Sequence, residues 1–133
     1  MRKTNILFKE IGACLLLIAL AACSPQNEKS YSGNPKALQE ALKQCPERVP
    51  RHMTCKQLQD MATRINQLAY KLRVDQQAYG KDILALQETI TTQRSTLEKN
   101  PKEITLQKDL KQNERHLQEH LAVVRWLASP GQH

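Results

Sequence analysis

His116-Leu117-Gln118-Glu119-His120 reads H-x-x-E-H. On a helix, two His four residues apart share a face. In this order they can bind zinc while the Glu activates a water. That chemistry also needs a carboxylate ligand well downstream and a fold large enough to form a cleft. Only 13 residues follow His120, and none is Asp or Glu. Both His are therefore read as partly solvated residues flanking an apolar stripe. No Ser sits in a strained elbow, and no paired carboxylates have the spacing of an acid/base cleft. The four Gly supply no GxGxxG or GxxxxGK phosphate loop. The chain is expected to be non-enzymatic, with no cofactor and no resident metal.

The N-terminus carries the most specific signal. Arg2, Lys3 and Lys9 form a positive segment ahead of the apolar stretch Ile11–Ala22. A bilayer core needs about 20 apolar residues, so this stretch is too short to span one and fits a secretory signal. It ends in Leu20-Ala21-Ala22-Cys23, which matches the bacterial lipobox. The resemblance implies that residues 1–22 are a signal peptide cut before Cys23, and that Cys23 carries the lipid. Ser24 is not Asp, which by the same resemblance sends the protein to the periplasmic face of the outer membrane. One acyl chain binds a membrane only marginally, whereas the triacylated cysteine of this class holds stably.

Cys14 leaves with the signal and Cys23 is taken by lipid, so Cys45 and Cys55 remain. In an oxidising compartment this pair is expected to form a disulfide across CPERVPRHMTC. Cys45, His52 and Cys55 could instead be metal ligands, but a fourth ligand and zinc-finger spacing are lacking. Free thiols are the third reading.

The 133 residues are 40% hydrophobic, 25% charged and only 4% aromatic, a composition for one small helical domain rather than a β-sandwich. Lys+Arg outnumber Asp+Glu by 20 to 13, and by 17 to 12 once residues 1–22 are removed. A mildly basic protein at a membrane surface could touch anionic headgroups. The charges are scattered, however, with no run of five like charges, and a solvated helical surface is the favoured reading. Nucleic acid is not an expected partner, because base-reading and stacking groups are lacking.

These residues need elements to hold them. Residues 23–33 are polar and read as the lipidated Cys plus a flexible tether reaching about 33 Å over ten residues. Asn34-Pro35 is a helix start: Asn as N-cap, Pro in the first turn. The short helix carries Ala37, Leu38, Ala41 and Leu42 on one stripe and ends at Cys45-Pro46. Thr54 and Gln57 form a capping-box pattern. Behind them Leu58, Met61, Ile65, Leu68 and Leu72 follow a heptad seam, and Tyr79, Ile83, Leu86, Ile90 and Leu97 continue it after a phase shift. Asp75 falls where a seam residue should stand. We read the segment as one long helix with a stutter, the alternative being a break near Val74–Gly80. Asn100-Pro101 repeats the start signal and predicts a last helix from about Pro101 to Ala128, with Ile104, Leu110, Leu117, Leu121, Val124 and Leu127 or Ala128 on one side. The fold class is all-α: a helical hairpin or a small three- to four-helix bundle over residues 34–129, with a disulfide-pinned short N-terminal helix and a tail at 130–133.

Trp126 is read as packing on the bundle, with an exposed partner anchor as its second reading. Tyr31 in the tether is a weaker anchor candidate. Tyr31, Asn34-Pro35, Leu38, Leu42, Cys45, Cys55 and Leu58 together resemble the layout of small exclusion lipoproteins of conjugative transfer systems. That resemblance covers about residues 1–60 and implies an envelope protein that blocks redundant mating by contacting transfer machinery. A second resemblance, at class level, is to helical pilotin lipoproteins, which carry a secretin segment in a groove between helices. The expected function is a lipid-anchored envelope protein whose helical domain binds another envelope protein. A self-associating coiled-coil spacer, and so a homo-oligomer, is a further alternative.

Overall fold

The fold is given by a computed structural model that describes residues 28–129. The signal peptide, Cys23, Ser24 and the tail at 130–133 lie outside the described residues. Five helices follow one another: α1 (Glu28–Ser32), α2 (Pro35–Lys43), α3 (Cys55–Val74), α4 (Gln76–Lys99) and α5 (Ile104–Ala128). There is no strand among the described residues, and the class is all-α, a small helical bundle.

Local chemistry starts three of these helices. Asn34 Oδ1 accepts from the Ala37 N–H at 3.0 Å, with Pro35 opening α2. Thr54 Oγ1 accepts from the Gln57 N–H at 3.2 Å, and Gln57 Oε1 accepts from the Thr54 N–H at 2.7 Å, a complete capping box. The long seam does not run through. It breaks at Asp75, whose N–H closes α3 on the Lys71 carbonyl while its Oδ1 caps α4 through the Ala78 N–H at 2.8 Å. The expected stutter is thus a joint one residue long. The physical reason is that a polar seam residue has no core to enter, whereas an Asp side chain is among the best groups for starting a helix.

Two further expectations are corrected. The tether ends earlier than residue 33: Glu28–Ser32 is helical, and Tyr31 is 4% exposed, packed in the core with Leu38, Leu58 and Met61. The last helix does not begin at Pro101. Asn100 closes α4, its carbonyl accepts from the Glu103 N–H, and α5 starts at Ile104 with no side-chain cap.

The disulfide Cys45–Cys55 joins the end of α2 to the start of α3, with Cα atoms 5.9 Å apart. Closing a loop of this length, a sequence separation of 10, contributes about 2–3 kcal/mol by the loop-entropy argument. The peptide Cys45–Pro46 is cis. His52 in the intervening loop has φ +68°, the left-handed region that a β-branched residue would resist.

The core lies where α2, α3, the first turns of α4 and the second half of α5 meet. Leu38, Leu58, Met61, Ile65, Tyr79 and Val123 form its centre. Beyond it, α4 and α5 continue as an antiparallel pair. Gly33 lies against α5: a Cβ there would come within 2.5 Å of the Gln118 amide nitrogen, which donates to the Lys29 carbonyl at 3.0 Å. A side chain at 33 would push that amide off its carbonyl.

Candidate functional site

α5 carries the residues with chemistry, and its inward face matches the expected one at Trp126 and Leu127 and differs from it elsewhere. Glu119, Ala122 and Val123 are buried, with Trp126 and Leu127 packed against the core. Ile104 is 78% exposed and Val124 is 37% exposed. The reason is that α5 meets several helices at once, so more than one of its faces is covered and a single leucine stripe does not mark the inside.

The H-x-x-E-H motif therefore sits in the bundle wall rather than in a cleft. Glu119 is 2% exposed, and its Oε1 accepts from Arg64 Nη2 of α3 at 3.0 Å. The guanidinium occupies that oxygen, and its charge opposes a dication beside it. His120 Nδ1 donates to the His116 carbonyl at 2.8 Å. Tyr79 of α4 donates its hydroxyl to the His120 carbonyl at 3.0 Å, and the two rings lie 5.0 Å apart. Burial pushes the Tyr79 hydroxyl up to about 12, with Asp82 adding to the rise. Burial also lowers the His116 pKa from the usual His value. Among the described residues, no group of three or more His, Cys, Asp or Glu is placed to hold a metal ion. The motif residues and Arg64 thus form a polar layer that keys α3 and α4 to α5.

The other sequence candidates are placed as follows. Cys45 and Cys55 are bonded to each other. Tyr31 is in the core, so it is not a surface anchor; its aromatic ring filled a hydrophobic site close at hand. Trp126 is half-buried against the core and edges a small hollow between Pro35 and Arg125.

Two open grooves flank α5. One, of about 660 Å³, runs between α4 and α5. Ile90, Leu117 and Leu121 line it, with Lys29, Arg94 and Arg125 on its margin. Across the helix pair, Arg94 Nη2 meets Glu114 Oε1 at 2.6 Å and Asn113 donates to Gln93 at 3.1 Å. The second groove, of about 700 Å³, lies between α1 and α5 and is lined by Lys29, Lys108, Lys111 and Arg115 together with Glu28 and Glu114. Arg64 and these lysines were missed in the sequence. Arg64 precedes the seam residue Ile65 and reads as solvated until Glu119 is brought to it. Lys108, Lys111 and Arg115 are scattered in sequence, but their spacing of three and four residues gathers them on one helix face.

No family model, no curated protein and no solved structure matches the chain.

Proposed function

We propose that the protein is a non-enzymatic lipoprotein, anchored through Cys23 at the periplasmic face of the outer membrane, whose helical domain binds another envelope protein. The observation that carries the reading is the α4–α5 groove. Its lining mixes apolar Leu117 and Leu121, over buried Ile90, with polar Gln87, Thr91 and Gln118, and Lys29 and Arg125 add positive charge, with Arg94 paired to Glu114. Such a surface suits an amphipathic helix with apolar anchors three to four residues apart and acidic flanks. The resemblance of residues 1–60 to exclusion lipoproteins supplies the class of owner: a component of envelope transfer machinery. A secretin segment, as carried by pilotins, is the neighbouring possibility within the same class.

The test is a photocrosslinking residue placed at Leu121, with a control at Gln59 on the exposed side of α3, in cells producing the full-length protein. A single defined adduct from Leu121 alone supports the reading when its mass identifies an envelope protein. Adducts equal at both positions, or an adduct with a second copy of this chain, would replace it with non-specific contact or self-association.

A further inference from the structure

We propose that the groove between α1 and α5 docks on the anionic headgroups of the membrane that holds the lipid anchor. This rests on the anchor at Cys23 and goes beyond it by assigning the face of the domain that meets the membrane.

Two independent observations converge on this groove. The first is charge. Its two carboxylates are already engaged: Glu28 with Arg115, and Glu114 with Arg94. Lys29, Lys108 and Lys111 line the same groove, and none of the three takes part in an ion pair among the described residues. Three uncompensated ammonium groups, with Lys111 and Arg115 one turn apart, repel one another. Phosphate-bearing headgroups relieve that repulsion, each cation near an anionic surface contributing to attraction.

The second observation is where the chain leads. Glu28, on α1, is a residue of the groove itself. Only Ser24 to Asn27 separate it from Cys23. Whatever their conformation, five residue steps reach at most about 18 Å. That is within the headgroup zone plus a few water layers, and far short of the reach expected from a tether ending at residue 33. A basic face elsewhere on the domain would be free to point at solvent. This one is tied by its own lip to the acyl chains, so its local concentration at the surface is set by the tether rather than by affinity.

The experiment uses the mature protein purified in detergent and reconstituted into phosphatidylcholine vesicles with or without phosphatidylglycerol. Intact mass first reads the lipid on Cys23. Acylation rates of single lysines are then followed by peptide mass spectrometry. Lys29, Lys108 and Lys111 should react about fivefold more slowly when phosphatidylglycerol is present. Lys43 and Lys81, which do not line the groove, should be unchanged. High salt should restore the rates, because screening shortens to about 3 Å at 1 M. Lys108→Glu with Lys111→Glu should abolish the protection of Lys29 while the helical spectrum is retained. Equal rates in the two vesicle types, with lipid present on Cys23, would overturn the docking and leave the anchor standing. Protection of the same size in pure phosphatidylcholine would overturn it too, since that surface carries no net anionic charge. An unmodified Cys23 would overturn both readings.

Discussion

The two halves of α5 lie in different surroundings. From Arg115 onward it is met by α1 through Glu28 and Lys29, by α3 through Arg64, and by α4 through Tyr79. From Ile104 to Glu114 its side-chain bonds run to α4 at Gln93 and Arg94, or back to the turn at Pro101, and no residue of that stretch is buried. α4 repeats the contrast: Tyr79 is in the core, whereas farther along only Ile90 is buried. The same helices are thus core elements at one end and a two-helix arm at the other. Two helices cannot enclose an apolar stripe between them, so beyond Tyr79 the pair buries only Ile90 of α4 and nothing between Ile104 and Glu114 of α5. Buried apolar volume is concentrated in the bundle, and the α4–α5 groove opens where the bundle gives way to the arm.

Side-chain truncation separates the two regions most strongly. Leu58 is fully buried at the bundle centre. Leu58→Ala is expected to cost about 3 kcal/mol, the usual loss for a buried leucine that leaves a cavity. Leu97→Ala, half-buried near the tip of the arm, should cost under about 1 kcal/mol. Urea unfolding of the mature protein measures both. Equal losses would mean that the arm is packed as tightly as the bundle.

Ion pairs give a second, smaller contrast. Arg64–Glu119 places an almost fully buried carboxylate against a partly exposed guanidinium; Arg94–Glu114 is exposed on both sides. Arg64→Ala strands the Glu119 charge and should cost about 2 kcal/mol, less than a fully buried pair because solvent reaches the arginine. Arg94→Ala should cost under about 0.5 kcal/mol. Arg64→Met combined with Glu119→Leu should recover to within about 1 kcal/mol of the parent, since the pair is replaced by apolar volume rather than broken. A double variant weaker than Arg64→Ala alone would show that the polar layer itself stabilises the bundle.

The same division governs what could be read from the sequence. Asn34-Pro35 and Asn100-Pro101 are the same dipeptide, yet only the first starts a helix where it stands. Helix α2 has α3 and α5 to pack on at once, which rewards an early start. Pro101, Lys102 and Ile104 are exposed and have no such neighbour, so the chain keeps a turn. Caps such as Thr54 with Gln57 were legible because every partner lies within three residues. The seam of α3 was legible because one face meets the core. Asp75 was legible as an anomaly, but its resolution into a joint depended on how α3 and α4 share α5. Arg64 and Glu119 stand 55 residues apart, and no local pattern announces that they meet. H-x-x-E-H invited a metal reading because the motif records spacing and not environment; the environment supplies a guanidinium.

His116 offers the finest test of the contrast, because it sits where the bundle gives way to the arm. Burial is the main cause holding its imidazole below the ordinary His range; Glu119 pulls it up, while Arg115, Arg64 and His120 press it further down. The unfolded chain therefore binds this proton at a higher pH than the folded one. Stability from the neutral ring is present above about pH 6.5 and is lost as the pH falls from there through the lowered folded value. The urea midpoint of the mature protein should decline between pH 7 and pH 5, before most carboxylates titrate, and His116→Gln should flatten that decline. The effect should be small, since the ring is only half-buried, and smaller than either preceding contrast. An undiminished decline in His116→Gln would assign the acid sensitivity to other groups. A midpoint that rises on acidification in the parent would reverse the sign and mean that the charged imidazole is favoured in the folded state, with Glu119 outweighing burial.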